Sequence, residues 1–297
     1  MELAVNYSIQ AADLLRQEQI AFDRFKCSDH LFDQITTIQE SHPIYLHFPL
    51  KVGLGISDAV NTHTNQPARW DQVEGLMERT DTPFINLHLA PEDTDYPEVS
   101  TNTTDPMHIE MLRDNMIQDV RAVVRRFGVE RVVVENDFDG RTHNILRPAF
   151  LSEVICQIVA ETGCGLLLDV SHARLAADYL GIDAREYITD LPVQHIQELH
   201  ITGIHRIEGT YIEMARQMGV DEAIIQHVEG RLVDHMPMGH DDWPFLAWAI
   251  DQINNGSWGR PWIMTFEYGG VGDVWEKMTR TEILVEQIPR LYSMLNK

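Results

Sequence analysis

Imidazole and carboxylate side chains recur in this chain at the ends of short apolar runs, where they could act together on a metal ion. His47 closes IYLHF, His88 closes FINLH, Glu135 closes VVVE, Asp169 closes LLLD, His200 closes ELH, His235 sits in LVDHM and Glu267 closes WIMTFE. Nitrogen and oxygen donors of this kind suit zinc, manganese, iron and cobalt, and no cysteine stands at such a position to favour a softer ion. Seven donors exceed what one four-coordinate ion uses, so they point to two or three divalent metal ions. Glu135, Asp169 and Glu267 are the acids able to bridge ions and balance their charge. In Asp-Val-Ser-His, Asp169 ends a strand and His172 lies one turn into the next helix, so both can address one ion or two adjacent ones.

Each of these residues has an ordinary reading beside the chemical one. A single strand-end histidine is more often a hydrogen-bonded core residue, and a single acid more often a buried salt-bridge partner. Their repetition favours ligation for His47, His88, Glu135, Asp169, His200 and Glu267, with His172 and His235 next. Asp234 neighbours His235, and successive residues of a strand face opposite sides, so one of the two is expected to point inward. Lys51 and Arg174 are candidates for holding an anionic substrate, and His205 and His240 for touching it, against solvated or structural roles. His30, His42, His63, His108, His195 and His227 read as surface or helix-packing residues.

Donors so far apart in sequence converge only if a frame brings their strand ends together. Apolar strands alternate with amphipathic stretches, the pattern of a parallel sheet with crossover helices, and 297 residues suit a single (β/α)8 TIM barrel spanning 1–297. Strands are expected at 2–8, 44–50, 83–88, 131–135, 165–170, 197–202, 232–235 and 262–267. Residues 8–40 read as helix-rich. Helices are expected at 67–79, 106–127, 148–162, 171–181, 242–253 and 275–295, with further helical segments between 203 and 227. Asp105-Pro106 looks like a helix start, Gly128 a stop, and Ser171 a cap. The first strand ends in Asn6 instead of a ligand. Polar loops at 90–105, 136–147 (with Asp137, Asp139 and His143) and 204–241 are expected to wall the mouth.

Composition narrows the partners. A net charge of −23 argues against nucleic acid, whose binding depends on Lys and Arg, and the acidic loops argue against an anionic polymer as substrate. The hydrophobic fraction of 44% can fill a large core. No apolar run approaches a membrane span and the first residues do not read as a secretion signal, so a cytoplasmic protein is expected. Cys27, Cys156 and Cys164 lack metal-knuckle spacing and fit a reducing compartment.

The stretch 148–203, with GLLLDVSHARLAADYLG and ELHITG, resembles the xylose-isomerase-like TIM barrels. Within them it is most similar to the multinuclear non-haem iron oxidases that modify peptide cysteines, as in methanobactin biosynthesis. The resemblance extends more thinly to His47, His88, Glu135-Asn136 and Glu267, and implies iron at the strand ends and a peptide or small-molecule substrate. This chain departs at three places. His172 stands where those oxidases usually carry Asn, and resembles endonuclease IV there. His205 comes five residues after His200 where they have four, and adjacent Asp234 and His235 replace an Asp-x-His element. Four readings therefore stand. An oxidase would hold iron with all eight donors. A sugar isomerase or epimerase would hold one ion with Glu135, Asp169, His200 and Glu267, Glu135 or Glu267 moving the proton. A zinc hydrolase would cleave phosphodiesters, and a non-catalytic barrel would only bind metal.

Overall fold

Short leucine- and valine-rich strands separated by amphipathic helices bury both strand faces when a parallel sheet is clothed by helices. The computed structural model describes residues 1–28, 31–138, 144–271 and 273–295 and has that arrangement. Its strands are β1 (Glu2–Asn6), β2 (Arg24–Cys27), β3 (Ile44–Leu46), β4 (Leu50–Val52), β5 (Val60–Asn61), β6 (Ile85–Leu89), β7 (Val132–Glu135), β8 (Gly165–Asp169), β9 (Ile196–Ile201), β10 (Gly203–Arg206), β11 (Leu232–Met236) and β12 (Ile263–Phe266). The main sheet runs β3-β2-β1-β12-β9-β8-β7-β6-β4-β5, parallel throughout except for β5 on β4.

β3 and β4 are one passage of chain interrupted at Pro49, which has no N–H to donate to a ladder. β3 pairs with β2 and β4 with β6, so this passage joins the two ends of the sheet. Asn86 covers the interruption by donating Nδ2–H to the Phe48 carbonyl (2.9 Å) and accepting the Phe48 N–H (2.7 Å). Among the described residues the closed sheet is a TIM barrel whose staves are β1, β2, β3 with β4, β6, β7, β8, β9 and β12.

Three expectations about strands are corrected. Residues 8–40 contain β2 between the helices Ile9–Arg16 and Ile35–Ser41. The 232–235 segment is a strand, β11, but it pairs antiparallel with β10 in a separate ribbon and is no stave of the barrel. Residues 203–227, read as helical, begin with β10 before the helices Thr210–Gln217 and Glu222–Val228. The helix Pro106–Phe127 starts and stops as its ends suggest: the Asp105 side chain accepts from Met107 N, Pro106 occupies the first turn and Gly128 closes it. The helix Val170–Leu180 is capped by Asp169 instead of Ser171. His30, Asp139 and His143 lie outside the described residues.

Alternation along the staves separates two layers. Val5, Phe25, Leu46, Leu87, Val134, Leu168, Leu199 and Phe266 face outward into the buried core beneath the helices. Each such side chain contributes about 1.5–3 kcal/mol by leaving water. The residues between them face inward. Ala4, Tyr45 and Ile263 pack with Trp262 as an apolar cluster inside the barrel, and the next inward positions are polar. No helix among the described residues is long and apolar enough to cross a membrane.

Candidate metal centre

The inward parity that follows Phe25, Leu46, Leu87, Val134, Leu168, Leu199 and Phe266 brings Lys26, His47, His88, Glu135, Asp169, His200 and Glu267 to one mouth. His88 pairs with Glu135 across β6 and β7, and Asp169 with His200 across β8 and β9. His47 Nε2 lies 3.1 Å from His88 Nε2, and Glu135 Oε2 lies 3.4 Å from His47 Nε2 and 3.3 Å from His88 Nδ1. His200 Nδ1 lies 3.1 Å from Glu267 Oε1 and 3.8 Å from Glu135 Oε1. Its other nitrogen is 3.3 Å from the Tyr45 hydroxyl, which is hydrogen-bonded to Thr265 (2.6 Å). That arrangement fixes the ring and leaves Nδ1 facing the acids.

Asp169 divides its two oxygens between structure and site. Oδ1 caps the following helix by accepting from Ser171 N (2.7 Å) and His172 N (2.8 Å), while Oδ2 points at the centre, 3.8 Å from His172 Nδ1. Asn136 holds the Asp169 backbone from both sides, donating to its carbonyl and accepting its N–H at 2.9 Å each. Among the described residues, four groups have donor atoms within 4.8 Å of one another: His47, His88 and Glu135; Glu135, Asp169 and His172; Asp169, His200 and Glu267; His172, Asp234 and His235. Glu135, Asp169 and His172 each belong to two groups, so the set is continuous.

Asp234 and His235 both reach this cluster, against the alternation expected of a strand. His235 has φ 57°, a left-handed conformation uncommon for a side-chain-bearing residue. The turn it imposes returns its ring to the face used by Asp234. Asp234 Oδ2 is 3.0 Å from His172 Nε2 and 3.5 Å from His235 Nε2, and His235 Nδ1 donates to the Glu267 carbonyl (2.9 Å). The ribbon carrying them is pinned at Gly203, opposite Met236, where a Cβ would overlap the Pro237 carbonyl oxygen.

Burial and charge set the protonation of these groups. Burial, reinforced by Lys26, holds the His47 and His200 imidazoles well below their usual range, so both are neutral and able to donate a lone pair. For His172 burial is outweighed by Asp169, Asp234 and Asp137, which hold the imidazolium well above its usual range. Burial opposes the His88 cation too, but Glu135 and Asp137 raise it. Glu135 is pushed up by burial, with His88 and His172 opposing. His47 Nδ1, Glu135 Oε2, Asp169 Oδ2 and His200 Nδ1 are buried without a hydrogen-bond partner. Buried polar atoms normally find partners. Four exceptions within one nitrogen–oxygen cluster fit a set of residues able to hold divalent cations.

Two neighbours of this cluster were not among the site residues inferred from sequence. Lys26, at the end of the overlooked strand β2, is buried and forms an ion pair with Glu267. Burial pushes its amine down to about 8 against the pull of Glu135 and Asp169. Asp137 Oδ2 accepts from His88 Nδ1 (3.0 Å) and, although burial opposes its charge, His88 and His172 keep it below its usual range. A polar residue alternating with Phe25 and Cys27 is the signal that could have found Lys26; Asp137, two residues beyond Glu135, had only proximity.

The centre opens into a cleft of about 520 Å³ whose lining includes His47, His88, Glu135, Asp137, His172, His235 and Glu267, with Lys26 and Lys51. His63, read as a surface or packing residue, also lines it. Lys51 is fully buried in the wall and donates to Asp95 (2.9 Å), with Glu92 3.4 Å away. Arg174, His205 and His240 line a different cleft, next to Asp242. There Arg174 pairs with Asp242 (2.6 Å), His205 lies between the Pro237 carbonyl and Tyr211, and His240 is exposed beside Asp241. His42 packs edge-on against Phe22 and Phe25.

Fold and cluster together define a TIM-barrel protein with a candidate metal centre at the mouth of its parallel strands. Residues 17–234 match the family of RiPP precursor modification enzymes MbnB/TglH/ChrH, and the chain belongs to that family. It is 26% identical over 174 residues to a UPF0276 protein of Rhizobium meliloti (57% of this chain, 52% of the relative) and 25% identical over 172 residues to one of Caulobacter vibrioides (57% of each). The chain thus spans about half the length of these curated relatives. A 52-residue stretch is 44% identical to a UPF0276 protein of Bordetella pertussis, 18% of each chain. Among solved structures, a sugar phosphate isomerase/epimerase from Parabacteroides distasonis is similar with a TM-score of 0.45 at 10% identity, covering 97% of each chain.

Proposed function

We propose that this chain is a metal-dependent oxidase that modifies a peptide, with two or three divalent ions, iron foremost, held by His47, His88, Glu135, Asp169, His172, His200, Asp234, His235 and Glu267. The observation that carries this reading is the continuity of the donor groups: Glu135, Asp169 and His172 each serve two of them. A single-ion isomerase needs only Glu135, Asp169, His200 and Glu267 and gives the histidines on the other side of the mouth no work. Family membership supports a peptide substrate, since its members are described as RiPP precursor modification enzymes.

Bound iron would supply redox chemistry with dioxygen. The surrounding residues orient the centre. Tyr45 and Thr265 hold the His200 ring so that Nδ1 faces the acids. Asp137 accepts from His88 Nδ1 and keeps that proton away from the nitrogen facing His47. Asn136 fixes Asp169, and the wall bearing Lys51, Asp95 and Glu92 bounds the cleft that would admit one substrate side chain.

The test is anaerobic reconstitution with ferrous iron, followed by exposure to oxygen with and without cysteine-containing peptides. The oxidase reading expects an iron-dependent optical spectrum and peptide-dependent oxygen uptake with a change in peptide mass. Full metal loading without oxygen uptake on any peptide would overturn it. Turnover of a sugar with one ion per chain would favour the isomerase.

A further inference from the structure

Lys26 is a cation placed among the donors themselves, and its partner is one of them. Its Nζ pairs with Glu267 Oε1, the same oxygen that lies 3.1 Å from His200 Nδ1. Glu267 Oε2 faces the other way, 4.0 Å from His235 Nε2. In the Asp169, His200 and Glu267 group the other two members present buried, unpartnered atoms, Asp169 Oδ2 and His200 Nδ1. This group is therefore built around positive charge, and the oxygen that an ion would share with His200 is already engaged by an ammonium attached to the chain. An ion at that place must compete with Lys26 for Oε1 and accept a like charge beside it.

We propose that the Lys26 ammonium takes the place of one metal ion at the Asp169, His200 and Glu267 group, so that the loaded protein holds two divalent ions instead of three. The two ions then belong to the His47, His88 and Glu135 group and to the two groups that share His172, with Glu135 and Asp169 on one side and Asp234 and His235 on the other. Lys26 is a positioning residue: it holds Glu267 and fixes the count. The proposal rests on the metal-centre reading above and refines it.

The experiment is ion stoichiometry. Wild type, Lys26→Met and Lys26→Arg are loaded anaerobically with excess ferrous iron, desalted, and measured by elemental analysis against protein concentration. Circular dichroism confirms that each is folded. The expected result is two ions per chain for wild type and for Lys26→Arg, and three for Lys26→Met. A wild type that binds any number other than two overturns the proposal without reference to a variant. So does a folded Lys26→Met that binds no more than wild type. Absence of bound metal in all three contradicts the metal-centre reading itself, which separates the two failures.

Discussion

At the scale of single residues, the site depends on side chains that serve structure with one atom and the centre with another. Asp169 caps a helix with Oδ1 and presents Oδ2 to the cluster, so the two roles can be separated. Asp169→Asn keeps an oxygen able to cap and removes the charge. The metal-free variant is expected to melt within a few degrees of wild type while its iron content falls by at least one ion per chain. Equal content in a folded variant would contradict a role in binding. The cysteines offer an independent check on burial. Cys27 is pushed up to about 12 and Cys164 to about 11 by burial, whereas Cys156 is only partly buried. The thiolate is the reactive form. Iodoacetamide at pH 8 is therefore expected to label Cys156 first in the native protein, and the other two only after unfolding, as read by mass spectrometry.

At the scale of elements, the strands that were legible are those whose outward face is continuously apolar, as in VVVE and LLLD, each ending in its inward acid. β2 was not legible because it is short and two of its four residues are charged, Arg24 and Lys26, so it merges into helical surroundings. Its loss hid Lys26. β11 was legible as a strand, but nothing within LVDHM tells a barrel stave from an antiparallel ribbon, because the partner is decided by distant chain. The joint presence of Asp234 and His235 depends on a left-handed backbone at His235, which no residue type there announces. The ribbon's register depends on Gly203 instead. Gly203→Ala is expected to cost about 1–3 kcal/mol by overpacking and to weaken hydrogen-exchange protection in 203–206 and 232–236. Unchanged stability would show that the ribbon is not pinned there. Asp119 is the comparable element of the opposite wall: buried on the long helix, it accepts the N–H groups of Gly53, Leu54, Gly55 and Ser57 at 2.7–3.0 Å. Asp119→Ala leaves these donors without their acceptor and is expected to cost about 3 kcal/mol in denaturant unfolding.

At the scale of the whole molecule, the acidic balance and the barrel have a common consequence. Nitrogen and oxygen donors from six staves, the helix after β8 and the ribbon converge on one small volume, and the chain carries a net charge of −23. Cations that bind only the folded barrel stabilise it by about 2.7 kcal/mol at a hundredfold excess over their dissociation constant. Chelation is therefore expected to lower the unfolding temperature and restored iron to raise it. The most direct test of a multinuclear centre at the mouth is elemental analysis of reconstituted wild type beside Glu135→Gln, since Glu135 belongs to two donor groups. Such a centre predicts at least two ions per chain in wild type and at least one fewer in the variant. No more than one ion in wild type, or a folded Glu135→Gln that keeps its full complement, would contradict it.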